Sequence, residues 1–272
     1  MGKYTQILIK DGPSSAMGNN SANIIGIDCA TKDKNTGLAL GTLADKRLTI
    51  KRVSCGKNKS AVDQIIDWLS EGQPALIALD APLGWPIALA QELNRHAAGN
   101  PITLRIEAID QMFSRNTDRM VHEKIGKKPL EVGADRIART TFHALKLLQV
   151  LRDKTKLAIP LAWEMGRILE TCAIEVYPAA TLRALEIDDS GYKGSKEGNK
   201  AKHKKVINQI CNYLELAVPK NQLLSNTDIT DAVICVLAGA DFLMGKCMPP
   251  TDSSTARGEG WIWVKDPSSK AS

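Results

Sequence analysis

Histidine and cysteine, the ligands that mark most zinc and redox sites, are sparse and unpatterned in this sequence. Its four histidines (His96, His122, His143, His203) and six cysteines (Cys29, Cys55, Cys172, Cys211, Cys235, Cys247) include no CxxC and no histidine pair at metal-binding spacing. That excludes a zinc ribbon, argues against histidine-based triad chemistry and fits a reduced, cytoplasmic protein better than a secreted disulfide scaffold. No apolar run approaches the length that spans a bilayer, and the first residues lack a signal-peptide pattern, so no membrane partner is expected. Aromatics are few, with five Trp, four Tyr and three Phe, and none interleaves with the lysine-rich stretch. No base-stacking platform for single strands is visible there.

Carboxylates and lysines are what the chain does have. Of the formal net charge of +6, the segment from Lys193 to Lys205 holds +5, with six lysines against Glu197. Such a stretch is either a solvated loop leading into a helix or a contact for phosphates, where counterion release favours binding. With 272 residues, the chain reads as one large domain or one with a sizeable insertion. Residues 1–20 look like a flexible leader, 21–266 a single domain, and 267–272 a polar tail.

The pattern predicts an α/β fold with a five-stranded mixed sheet flanked by helices. Short apolar runs at 22–28, 37–43 and 48–53 read as strands, the last two close enough for an antiparallel hairpin. Ser60 caps a helix with apolar positions at Val62, Ile65, Ile66 and Leu69. Ala75 to Asp80 is apolar on both faces until its last residue, as a central strand requires. Residues 87–171 read as a mostly helical insertion between the fourth and fifth strands, clearest over 133–152 with Ile137, Phe142, Leu145, Leu148 and Leu151 inward. A fifth strand is expected at 172–177, a helix at 201–216 with Tyr213 inward, and an apolar helix at 227–244 stopped by Gly245.

The placement of acids is the informative feature. Asp28 and Asp80 each end an apolar strand, and ligands gather at the carboxyl ends of strands in open α/β sheets. Taken singly, each also fits an ordinary turn residue. Asp228 and Asp231, three apart, open a helix that is otherwise apolar and share one of its faces. Interaction with the helix dipole explains one acid in the first turn, at roughly 0.3–1 kcal/mol. It explains less well an acid at the mouth of a buried helix.

Three strands, a helix, a fourth strand and a late Asp-x-x-Asp-Ala helix resemble the ribonuclease H-like fold. The Asp228/Asp231-Ala232 spacing is similar to that of bacterial Holliday-junction resolvases, which carry Glu on the fourth strand. More of the chain resembles the family catalogued as domain of unknown function 429, regarded as ribonuclease H-like nucleases. The motifs that carry this are Gly26-Ile27-Asp28-Cys29-Ala30, Asp80-Ala81-Pro82-Leu83-Gly84, Arg115 to Asp118, Glu175 to Ala180, Gly191-Tyr192-Lys193, the aspartate helix, and Glu259 to Val264. The resemblance implies a predicted nuclease whose metal ligands are Asp28, Asp80 and Asp231, with Asp228 or Glu175 assisting. A hard-oxygen donor set without His or Cys selects Mg²⁺ or Mn²⁺ over Zn²⁺.

The remaining motif residues are open to two readings each. Arg115 and Asp118 either bind a phosphate and brace the acids or form a surface pair on a helix. Glu175 is a fourth ligand or the partner of a buried lysine. Lys193 neutralises a phosphate or is a loop lysine. Trp261 and Trp263 fit an edge strand or a lid. Two other classes stay in view: an actin-like or sugar-kinase-like phosphate-binding protein, for which turn glycines and a duplicate domain are missing, and a non-catalytic binding module that keeps the acids. Nucleic acid is the expected partner of the nuclease reading.

Overall fold

The computed structural model describes residues 21–57, 59–101, 109–133, 135–194 and 197–269. The leader expected at 1–20 lies outside the described residues, as do the last three residues of the tail. In chain order the elements are β1 (Ser21–Asp28), β2 (Gly37–Ala44), β3 (Arg47–Cys55), α1 (Ala61–Leu69), β4 (Ala75–Asp80), α2 (Ile87–Leu93), α3 (Ile109–Phe113), α4 (Asn116–Ile125), α5 (Asp135–Thr155), β5 (Cys172–Glu175), α6 (Pro178–Ala184), α7 (Glu197–Ile210), β6 (Glu215–Leu216), α8 (Lys220–Leu224), α9 (Thr227–Leu243) and α10 (Ser253–Glu259).

The sheet has six strands in the order β5-β4-β1-β2-β3-β6. β1, β2 and β3 form an antiparallel meander, whereas β4 joins β1 and β5 joins β4 in parallel. The meander's second link is the tight turn Asp45-Lys46, both with positive φ (49° and 64°). That backbone matches the right-handed strand twist of a two-residue hairpin. α1 begins where expected, with the Ser60 side chain accepting from the Asp63 amide.

Strand alternation divides the core. Ile25, Ile27, Ile77 and Leu79 pack with Ile65 and Trp68 of α1 and Leu148 and Leu151 of α5 on one face. Ile24 and Ala39 meet Ala232, Val233 and Val236 of α9 on the other. Leu76, Ala78 and Ile174 extend that second face against Cys235, Ala238 and Phe242. α9 is buried from Ile229 to Phe242 without a break. A helix apolar all round is one enclosed on every side.

Three expectations change. The sheet has a sixth strand, because the chain turns after Ile210 and lays Glu215–Leu216 parallel to Thr49–Ile50, pairing the outer edge of β3. α7 therefore starts at Glu197 and ends at Ile210, and Tyr213 sits in the turn, 45% exposed. On α5 the buried line is Thr141, Ala144, Leu148 and Leu151. Phe142, one position round from Thr141, is exposed. Trp261 and Trp263 are buried, with the Trp263 amide donating to the Glu175 carbonyl, so this segment continues the pairing beyond β5. No helix among the described residues is long and apolar enough to cross a membrane.

Candidate metal centre

Side-chain alternation along the strands decides which acids meet. Asp28 and Asp80 stand opposite each other in the parallel register of β1 and β4. Counting back by two, Gly26 and Ile24 on β1 and Ala78 and Leu76 on β4 all face α9, so both aspartates emerge on that face at the sheet's carboxyl end. α9 brings Asp231 to them from its second turn, and Asn226 caps the helix by accepting from the Asp228 amide at 2.8 Å. One oxygen from each of Asp28, Asp80 and Asp231 lies within 4.8 Å of the others.

Two glycines make that approach possible. A Cβ at Gly26 would lie 2.0 Å from the Ala232 carbonyl oxygen, and one at Gly37 would lie 2.0 Å from that of Asp228. Any side chain at either position would lift the start of α9 off the sheet and carry Asp231 away from Asp28.

Crowding acids in a place shielded from water disfavours their charged forms. Burial first, then Asp231 and Asp80, pushes Asp28 well above the carboxylate range. Burial pushes Asp80 up to about 7; Lys193 opposes this, while Asp231 adds to it. Asp228 stands just outside the trio and is raised by burial and by Asp231.

Asp231 has two cationic or hydroxylic neighbours. The Tyr192 hydroxyl donates to its Oδ1, and the Lys193 ammonium pairs with its Oδ2. That Oδ2 is buried and accepts no hydrogen bond of good geometry among the described residues. Burial alone would lower the Lys193 pKa, but Asp231, Asp28 and Asp80 outweigh it and hold the ammonium charged. Lys193 therefore lies beside the trio, paired with Asp231. Tyr192 was not singled out on its own, and only its place in Gly191-Tyr192-Lys193 pointed to it.

Glu175 does not join the trio. It pairs in register with Leu79, one residue before Asp80, so alternation sends it to the opposite face. There Arg115 grips it with two bonds, Nη1 to Oε2 at 2.9 Å and Nη2 to Oε1 at 2.7 Å. The same guanidinium reaches Asp118 through Nε at 3.1 Å and Nη2 at 2.9 Å. The three residues are 1–3% exposed, which rules out a surface pair and makes Glu175 the partner of an arginine rather than a lysine. Burial works against the Arg115 charge, and the two carboxylates overcome it, raising its pKa.

This cluster braces the loop after Asp80. Glu175 Oε2 also accepts from the Leu83 amide at 2.9 Å. Glu259, which the sequence marked only as the first residue of the Glu259–Val264 motif, accepts from the amides of Ile87 (3.0 Å) and Asn116 (2.8 Å), joining the starts of α2 and α4. The Asp80-Ala81-Pro82-Leu83-Gly84 loop is therefore held from behind by Arg115, Glu175 and Glu259.

A family model described as "Protein of unknown function (DUF429)" matches residues 26–255. The chain belongs to the DUF429 family. The DUF429 match opens at Gly26, two residues before the first acid of the trio, and contains all three. No curated protein and no solved structure matches the chain.

The donor set of this DUF429 site fits a divalent cation. It offers hard oxygen atoms from three separate elements and a mutual repulsion that a cation relieves. No histidine or cysteine belongs to the cluster.

Proposed function

We propose that this DUF429 chain is a divalent-metal-dependent nuclease of ribonuclease H-like architecture, hydrolysing phosphodiester bonds at Asp28, Asp80 and Asp231. The observation that carries this reading is the convergence of three carboxylates from β1, β4 and α9 within 4.8 Å. The antiparallel meander extended in parallel by β4 and β5 supports the fold assignment.

Asp28, Asp80 and Asp231 would hold Mg²⁺ or Mn²⁺, with Asp228 adding negative potential beside them. When bound, such an ion polarises a phosphoryl oxygen and lowers the pKa of water. The chain's own contribution is positioning and charge. Tyr192 orients Asp231 through Oδ1. Lys193, held charged beside the trio, offers its ammonium to a non-bridging phosphate oxygen. The Arg115–Glu175–Glu259 brace keeps the Asp80 loop from shifting as substrate arrives. Lys200, Lys202, Lys204 and Lys205 lie exposed on α7, which follows the segment bearing Lys193, and their charge favours a polyanionic nucleic acid as substrate.

The test is Mn²⁺-dependent cleavage of single-stranded, duplex and junction substrates, paired with thermal melts. Wild type should melt higher in millimolar Mn²⁺ and cleave at least one substrate, while Asp28→Asn and Asp231→Asn abolish both effects yet stay folded. A wild type that neither shifts with Mn²⁺ nor cleaves returns the site to a binding module, in which Lys193 alone compensates Asp231.

A further inference from the structure

Next to the trio lies a cavity of about 440 Å³, and Asp80, Tyr192 and Lys193 are part of its wall. Whatever is bonded to a phosphate at the acids has this space as its neighbour. The volume is in the range of small-ligand sites, roughly 300–1,000 Å³. Pro82, Pro129, Ile137 and Val176 supply flat or branched apolar surface. Tyr177 adds a ring and a hydroxyl that has no protein partner among the described residues. Burial, then Asp80 and Asp189, raises that phenol to about 12, so it stays a neutral donor. Lys127, paired with Asp189, also lines the space.

This lining is selective. A sugar by itself would leave the proline and aliphatic faces against polar hydroxyls. An acyl chain would bury the Tyr177 hydroxyl without a partner and would take water from the Lys127–Asp189 ion pair while offering it nothing in exchange. A flat heteroaromatic ring, with apolar faces and hydrogen-bonding edges, satisfies both kinds of wall. In a duplex interior that ring stays stacked and paired, so only the backbone would reach the trio and the cavity would go unused.

We infer that the cavity receives one unpaired nucleoside whose phosphate lies at Asp28, Asp80 and Asp231, so that the substrate is a nucleoside phosphate or a single-stranded nucleic acid, not paired duplex. This rests on the phosphodiesterase reading of the acids. Unpairing supplies the selectivity: a base that is already single costs nothing to expose, whereas a paired one costs a few kcal/mol.

The experiment titrates the full chain in Mg²⁺ with adenosine 5′-monophosphate and with ribose 5-phosphate, by calorimetry. The nucleotide should bind at least tenfold more tightly. Thr140→Trp, which fills the cavity from α5, should erase that preference while the melting shift with Mn²⁺ persists. Tyr177→Phe is a milder second variant and should weaken the nucleotide several-fold but leave ribose 5-phosphate unchanged. Further arms use a single-stranded oligonucleotide and a blunt duplex of the same sequence. Tight binding of the single strand in competition with the nucleotide makes the source a polymer; binding of the free nucleotide alone makes it a small molecule. Equal affinity for nucleotide and ribose phosphate, or a preference that neither variant alters, overturns the inference. Loss of the Mn²⁺ shift in wild type would instead count against the metal reading.

Discussion

The Lys193 ammonium is paired with Asp231, the one acid of the trio that a helix contributes. A fixed positive charge beside three carboxylates does part of what a divalent cation does, and so competes with it. More than half of the Lys193 side chain is exposed, at 57%, so the pair can open without unpacking the core.

Lys193→Gln should therefore bind Mn²⁺ more tightly, by about tenfold, given one unit charge removed at close range in a partly solvated site. Calorimetric titration of both proteins checks this. The same variant should melt lower without metal and higher with it. Equal Mn²⁺ affinity in the two proteins would show that the ammonium and the cation do not share a field.

Asp80 gives the metal-free protein an inverted pH profile. Its carboxyl keeps a proton to about 7 in the folded chain against an ordinary 3.8. Unfolding between those values releases that proton, so stability is highest near the lower value and falls as pH rises toward the upper one. Urea unfolding at pH 5 and pH 8 in EDTA should show this decline, and Asp80→Asn should reduce it, the raised carboxyl of Asp28 supplying the remainder. Mn²⁺ affinity should run the opposite way, rising through pH 7 as the proton leaves.

Arg115 and Glu175 should separate bracing from metal binding. Arg115→Met leaves Glu175 and Asp118 buried without a counter-charge, a loss of about 3–5 kcal/mol in urea unfolding. Arg115→Lys should recover little of it, because an ammonium cannot reproduce two forked pairs. Glu175→Gln should be milder and should leave the Mn²⁺ melting shift in place, since Glu175 faces away from the trio. A Glu175→Gln protein that no longer responds to Mn²⁺ would restore Glu175 as a ligand.

Gly26→Ala tests the approach of α9. The new methyl group overlaps the Ala232 carbonyl oxygen, so the helix must move. Overpacking of this kind costs typically 1–3 kcal/mol. Mn²⁺ binding should fall more than stability does, because a small shift of Asp231 opens the trio while most of the core survives. Ala39, the partner of Gly26 on β2, already carries a methyl group, and Ala39→Val serves as a control for added volume on the same face.

Much of this arrangement was legible as pattern. Apolar runs ending at Asp28 and Asp80 marked strands, the second of them covered on both faces, and the almost wholly apolar stretch after Asp231 marked a buried helix. Those three positions pointed to an acid cluster, and the family resemblance named Asp28, Asp80 and Asp231 as its members, with Asp228 or Glu175 assisting. The rest depended on relations that periodicity does not carry. Glu175 looked equivalent to Asp80 as an acid at a strand end; only the register, Glu175 against Leu79, puts it on the other face. Arg115 and Asp118 stayed open between a phosphate-binding brace and a helix-surface pair because nothing near them in sequence names Glu175, sixty positions away, as the third member. β6 was invisible because two residues are too few for any alternation, and what fixes them is the free edge of β3.

The trio draws its members from positions 28, 80 and 231, and its last member rides on the helix that closes one whole face of the sheet. During synthesis the first two acids leave the ribosome long before the third. Until α9 arrives, the β1–β4 surface that it will cover is bare apolar sheet, and the loose strands carry acids with nothing to hold. Assembly of the centre is therefore a report on completion of the fold. A chain halted before Asp231 lacks the third acid, and one that reaches Leu243 gains the cover of that sheet face and its acid cluster in the same closing step.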